Sequence, residues 1–299
     1  MTTTVGFVGL GNIGKPMALR LAAQQQDADL ELWVHDVAPE PLAEAERAGA
    51  RIAAGVADLA GRCDVLCLMV RDDDQVRDVL AAALDSAREG LVVVVHSTVA
   101  PGTPAELAAT AAPHGVHLID APVSGGAMGA ADGSLALMVG ADDAALAVAA
   151  PVLHALGSKV VHAGPVGAGT RFKLARNLMH FVAFTAATEA QRLAEAAGLD
   201  LRALGDVVRH TDAITGGPGA IMHRESTAEL APDDFWFGVF SNVASLAAKD
   251  LGFAIDLARE LGVDVPLAEL AAARLAAGLG LPAPASAPAS APASTTTGA

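Results

Sequence analysis

The chain has 299 residues, 53% of them hydrophobic, with 34 acidic and 19 basic side chains for a formal net charge of −15. That is enough length for two domains of ordinary size and enough apolar material for a sizeable core. Such an acidic surface repels nucleic-acid phosphates and anionic lipid, so no nucleic acid and no membrane are expected as partners.

The N-terminus enters an apolar run at once, with no basic region or cleavage site, which reads as a cytoplasmic chain without a signal peptide. Residues 4–8 are expected as a strand and 13–23 as a helix; residues 30–35 follow as a second strand and 41–48 as a second helix. Cys63 and Cys67 lie four apart, outside any C-x-x-C spacing, and read as small apolar fillers in a reducing compartment; no metal site is expected. Residues 65–70 and 91–97 are further strands, followed by helices over 75–87 and 104–112, and residues 116–120, 135–139 and 159–162 complete the sheet. Strand and helix alternating at this spacing imply parallel crossovers, hence an N-terminal Rossmann-type, doubly wound α/β domain over residues 1–165.

After Gly164 the pattern changes. The breaker run Gly164-Pro165-Val166-Gly167-Ala168-Gly169 is followed by helical periodicity at 170–197, 201–210, 239–261 and 267–277. Residues 166–281 therefore read as an all-helical domain. The Pro/Ala/Ser run over 282–299 carries no core-forming side chains and reads as a solvated, disordered extension.

Gly9-Leu10-Gly11-Asn12-Ile13-Gly14 is a G-x-G-x-x-G between the first strand and the first helix. In that context Gly9 makes the tight turn, Gly11 lets the backbone approach a pyrophosphate, and Gly14 lets helix and sheet pack closely. The helix N-terminus offers free N–H groups to the phosphates. Asp36 closes the second strand 22 residues after Gly14, where a carboxylate accepts from the ribose 2′-hydroxyl of NAD and repels the 2′-phosphate of NADP. NAD is the expected cofactor.

Ser124, Gly125 and Gly126 follow the strand at 116–120; glycines and a serine there can present N–H groups and a hydroxyl to a carboxylate, or simply form a loop needing positive φ. Lys173 and Asn177 lie four apart on one face of the long helix, just past the breaker run, with His180 and Phe184 continuing that face. A partly desolvated lysine there could exchange a hydroxyl proton during hydride transfer. On spacing alone, a solvated surface lysine is the plainer reading.

Four blocks in order resemble the β-hydroxyacid dehydrogenase family, which includes 3-hydroxyisobutyrate dehydrogenase and tartronate semialdehyde reductase: residues 6–18, 120–140, 167–177 and Lys249-Asp250-Leu251. The resemblance covers residues 4 to 280. It implies a hydride transfer between NAD and a small hydroxy acid, with Lys173 as the catalytic acid/base and Asn177 holding substrate. It also implies Ser124, Gly125 and Gly126 as the substrate-carboxylate loop. Cofactor contacts would come from Gly9 through Gly14, Asp36, Thr98 in the Ser97-Thr98 pair, and Lys249. Val70-Arg71 stands where the family usually has Leu-Pro; the contact there is through backbone, but Arg71 adds a cation near the ribose and keeps NADP open. His210, Asp212 and Arg224 lie where members diverge and are candidates for the acid's distal group.

A tartronate semialdehyde reductase is the nearest alternative. An imine reductase on the same scaffold would place Asp or Tyr at the lysine position, and this chain has no tyrosine. A non-catalytic nucleotide sensor would need the glycine loop without Lys173, Asn177 and the Ser124 loop. The long helix, apolar on more than one face, predicts burial in a homodimer or homotetramer.

Overall fold

The computed structural model describes residues 2–222 and 226–282, so Arg224 and residues 283–299 of the expected tail lie outside the described residues. The chain divides into two compact units between Asn177 and Leu178.

The first unit opens with β1 (Thr3–Val8), α1 (Gly14–Ala23), β2 (Leu30–His35), α2 (Pro39–Arg47), β3 (Arg51–Ile52), α3 (Val56–Arg62), β4 (Val65–Leu68) and α4 (Asp73–Leu84). It continues with β5 (Val92–Val95), α5 (Thr103–Ala111), β6 (His117–Asp120), β7 (Val123–Ser124), α6 (Gly126–Asp132), β8 (Ala136–Gly140), α7 (Asp143–Leu156), β9 (Lys159–Gly164) and the start of α8 (Ala168–Ala196). The strands form one sheet in the order β3-β2-β1-β4-β5-β6-β8-β7, with β9 beside β8. Pairing is parallel from β3 to β6 and between β8 and β9; β6 and β7 each meet β8 antiparallel. The expected doubly wound sheet is therefore present, with an antiparallel turn-back added at its far side.

The central strands explain the core. Every residue of β4 and β5 is buried, as strands covered by helices on both faces require. Successive side chains point to opposite faces. Val65, Cys67, Val92 and Val94 accordingly join one apolar cluster, while Leu66, Leu68, Val93 and Val95 join another. Cys63 and Cys67 thus sit on opposite sides of the sheet, both buried.

The chain order reverses at β1, which has β2 on one side and β4 on the other. Beyond the C-terminal ends of these strands lies the crevice where open α/β sheets hold ligands. The strands expected over 65–70 and 91–97 are shorter than read: β4 ends at Leu68, after which Met69 and Val70 line that crevice, and β5 spans only Val92–Val95. Helices α3, α6 and α7 and the two-residue strands β3 and β7 add to the expected elements. Pro151 inside α7 interrupts its periodic signal, and two-residue strands carry none.

The second unit is helical among its described residues: the rest of α8, then α9 (Leu201–Thr215), α10 (Phe235–Leu261) and α11 (Pro266–Gly278). Asp200 and Asp234 cap α9 and α10 by accepting from backbone amides of their first turns. Buried Glu189 of α8 does the same for α11, accepting from Leu267 N at 2.9 Å and Ala268 N at 3.1 Å. Leu178, Phe181 and Phe184 on α8 and Leu246 and Phe253 on α10 are exposed. No helix among the described residues is long and apolar enough to cross a membrane.

Candidate functional site

The glycine turn follows β1 at the crevice and needs its glycines for reasons of space. Gly9 has φ +94°, and a Cβ there would lie 2.4 Å from the Met69 carbonyl oxygen. A Cβ on Gly14 would lie 1.9 Å from the Gly9 carbonyl oxygen. Gly11 has nothing within 4 Å of its Cβ direction, so its backbone faces open space. That space is a 610 Å³ cavity lined by Gly9, Gly11, Asn12, Asp36, Val70 and Arg71, among others. Leu10 packs into the core and anchors the turn, while Ile13 packs against the core and also lines the cavity.

Asp36 joins the turn to the end of β2. Its Oδ2 accepts from Leu10 N at 2.5 Å and its Oδ1 from Ala38 N at 2.8 Å. A carboxylate has about four acceptor positions, so two remain to meet hydroxyl donors in the cavity. The cradle, the open approach at Gly11 and this carboxylate fit a dinucleotide: its pyrophosphate over the turn and its ribose at Asp36. Arg71 stands on the cavity rim, exposed and paired with Asp72 at 3.0 Å. Lys15, one residue past the turn, pairs with Glu44 at 2.9 Å.

Past the end of β5, Ser97 is buried and Thr98 beside it is exposed. The Ser97 hydroxyl ties down Val70, whose backbone lines the cavity. His96, also buried, stacks near Phe7 and lies 2.9 Å through Nδ1 from the Ala121 carbonyl oxygen. Its Nε2 has no partner among the described residues, and burial pushes its pKa down to about 4.

The second cluster is built from residues 120–126 and the start of α8. Lys173 is 8% exposed. Its Nζ donates to the Val123 carbonyl at 2.6 Å and to Ser124 Oγ at 2.9 Å. Burial, helped by the nearby Arg176 charge, lowers its pKa below the ordinary lysine value. The surface-lysine reading is therefore set aside: this ammonium has left bulk water and holds two specific acceptors. Ser124 ends β7, and Gly125 and Gly126 follow at φ +134° and +64°, conformations that favour glycine. Where a loop was read, residues 123–132 form β7 and α6 around this glycine pair.

Asn177 lies one turn beyond Lys173, half-buried, with its Oδ1 accepting from Arg176 Nη1 at 3.3 Å. Lys249 lies on α10 in the second unit, half-exposed and paired with Asp250 at 3.3 Å. His210 and Asp212 are exposed on α9 of the same unit. The structure thus brings together Lys173 and Ser124 in one cluster, and the glycine turn, Asp36, Val70 and Arg71 in another. Among the buried polar residues that the sequence reading gave no role are Asp120 and His96.

Two family models divide the chain. The NAD-binding domain of 6-phosphogluconate dehydrogenase matches residues 4–164, and the NAD-binding domain of NADP-dependent 3-hydroxyisobutyrate dehydrogenase matches residues 167–283. An uncharacterized oxidoreductase of Mycobacterium tuberculosis is 49% identical over 286 residues, covering 95% of each chain. An NAD-dependent L-serine dehydrogenase of Pseudomonas aeruginosa is 33% identical over 281 residues, covering 89% of each. The solved structure of Mycobacterium tuberculosis 3-hydroxyisobutyrate dehydrogenase with L-serine has a TM-score of 0.65 at 33% identity, covering 94% of this chain and 96% of that one. A dinucleotide cradle and a buried lysine, set in two domains that both match this group, lead to one conclusion: the chain belongs to the β-hydroxyacid dehydrogenases, NAD(P)-binding oxidoreductases.

Proposed function

We propose that the protein oxidises a small 3-hydroxy acid of the 3-hydroxyisobutyrate type with NAD, using Lys173 as the acid/base. The observation that carries this reading is the buried Lys173 amine held on Ser124 Oγ at 2.9 Å. Nicotinamide, when bound, supplies the hydride acceptor. Lys173 in its neutral form takes the hydroxyl proton during oxidation, and its ammonium returns it in the reverse direction. The lowered pKa enlarges the neutral fraction available near neutral pH.

The substrate's carboxylate is taken by the Ser124 hydroxyl and the Gly125–Gly126 backbone, and Asn177 holds the substrate beside Lys173. Thr98, Val70 and Arg71 complete the cofactor contacts of the first unit. Asp36 favours NAD, since two of its acceptor positions are free for ribose hydroxyls and its charge opposes a 2′-phosphate. L-serine is itself a 3-hydroxy acid and is named for two relatives, so it belongs in the same substrate class. Tartronate semialdehyde fits the carboxylate chemistry as the reverse-direction alternative. The exposed apolar side chains of α8 and α10 support a homodimer or homotetramer in which a second copy covers them.

Steady-state rates test this reading, with NAD and NADP for 3-hydroxyisobutyrate, L-serine and other short hydroxy acids, and with NADH and NADPH for tartronate semialdehyde. Turnover of a 3-hydroxy acid with NAD is the expected result. NADH binding without turnover of any member would replace the enzyme with a nucleotide sensor.

A further inference from the structure

Asp120 is fully buried at the C-terminal end of β6. Its Oδ1 accepts from Gly167 N at 2.6 Å and its Oδ2 from Thr170 N at 2.6 Å. Both donors stand at the start of α8, where backbone amides have no carbonyl partner inside the helix. A carboxyl group there is also well placed at the positive end of the helix dipole, and both its oxygens are satisfied by backbone amides.

The fit leaves no slack. A Cβ on Gly140 would lie 2.3 Å from Asp120 Oδ1, and one on Gly169 would lie 2.2 Å from the Met138 carbonyl oxygen and 2.7 Å from that of Asp120. The first turn of α8 therefore rests directly on β6 and β8, and only glycine at both places allows it.

The same short segments meet again one step along. Three residues after Thr170, Lys173 reaches back to Val123 and Ser124, which lie three and four residues after Asp120. Residues 120–124 and 167–173 form a closed ring joined by four hydrogen bonds, two holding the helix and two holding the amine. Where the helix starts decides where the amine ends.

We propose that Asp120 is a positioning residue: by holding the first turn of α8 on β6 it places the Lys173 amine at Ser124, where the hydroxyl proton is exchanged. This rests on Lys173 being the acid/base. Asp120 is fully buried, gives both its carboxylate oxygens to backbone amides, and is not among the residues that line the dinucleotide cavity. Misplacing a reacting group by about 1 Å can cost roughly 10²-fold in rate.

The test is a double-mutant cycle on the full chain with Asp120→Asn and Lys173→Ala, measuring kcat, with NADH affinity taken separately by fluorescence titration. An asparagine keeps one acceptor and turns a donor toward the other amide. The expected result is that D120N lowers kcat by roughly 10- to 100-fold, leaves NADH affinity unchanged, and adds nothing further in the K173A background. Wild-type kcat in D120N, or a full additional loss on top of K173A, overturns the positioning role. Wild-type kcat in K173A overturns the acid/base reading first, and the positioning role with it.

Should D120N fail to fold, Asp120→Ser removes the carboxylate with a smaller side chain, which fits the tight space beside Gly140 and leaves one oxygen to accept from a helix amide. D120S is then expected to show the same split between kcat and NADH affinity. Wild-type kcat in a folded D120S overturns the proposal.

Discussion

Ser97 grips both backbone groups of Val70: its hydroxyl donates to the Val70 carbonyl at 2.8 Å and accepts from the Val70 amide at 3.0 Å. Val70 lies just past β4 and Ser97 just past β5, so one hydroxyl fixes the spacing of two neighbouring strand ends, the first of which lines the cavity. Ser97→Ala leaves a partly buried amide and carbonyl without partners, at about 1–3 kcal/mol of stability. It is expected to lower Tm and weaken NADH binding several-fold, as read by fluorescence titration. Unchanged NADH affinity would separate this clamp from the cofactor site.

Lys173→Ala is expected to keep NADH binding and lower turnover by about 10²-fold or more. Lys173→Arg is expected to fare no better, because a guanidinium retains its proton at every working pH and cannot act as a base. Stopped-flow measurement of NADH formation distinguishes the chemical step from product release in both variants.

The lowered pKa of Lys173 sets the direction of the pH profile. Oxidation needs the neutral amine, so kcat/KM for the hydroxy acid is expected to rise with pH and level off at a midpoint below the ordinary lysine value of about 10.4. Loss of that limb in Lys173→Ala would assign it. A midpoint at or above the ordinary value would contradict the burial seen here.

His96 makes stability depend on acid. Burial holds its folded pKa at about 4, below the unfolded value of about 6.5, so the unfolded chain binds the extra proton first. Stability is therefore full above pH 6.5 and falls as pH drops from there toward 4. The loss between pH 7 and pH 5 from this group is about 2 kcal/mol. Urea titrations at the two pH values are expected to show that loss, and His96→Met is expected to shrink it. An equal loss in the variant would place the acid sensitivity elsewhere.

Asp36→Ala removes the carboxylate that accepts from Leu10 N and faces the ribose end of the cavity. The ratio of NADPH to NADH dissociation constants is expected to fall toward unity, with some loss in both as the turn loosens. An unchanged ratio would sever Asp36 from cofactor choice.

Much of the first unit was legible because its signals are local. The run from Leu30 to His35 alternates, Val92 to Val95 is continuous, and the G-x-G-x-x-G sits where strand turns to helix. Lys173 was legible as a candidate through its place after the breaker run, but its partners were not: Val123 is 50 residues away, and no period links them. Asp120 was invisible for the same reason. Its oxygens meet amides 47 and 50 residues further along, so its task exists only once β6 and α8 have been brought together. Short strands such as β7 carry no pattern of their own and are made by the neighbour they pair with.

The two cysteines offer a built-in gauge of opening. Burial pushes the Cys63 thiol up to about 12, and the Cys67 thiol higher still, so neither forms appreciable thiolate near neutral pH. Reaction with a thiol reagent must wait until the protein breathes. Because the sulfurs face away from each other across the β-layer, their separate labelling rates time the exposure of each side, and one unmutated chain reports which half of its interior loosens first.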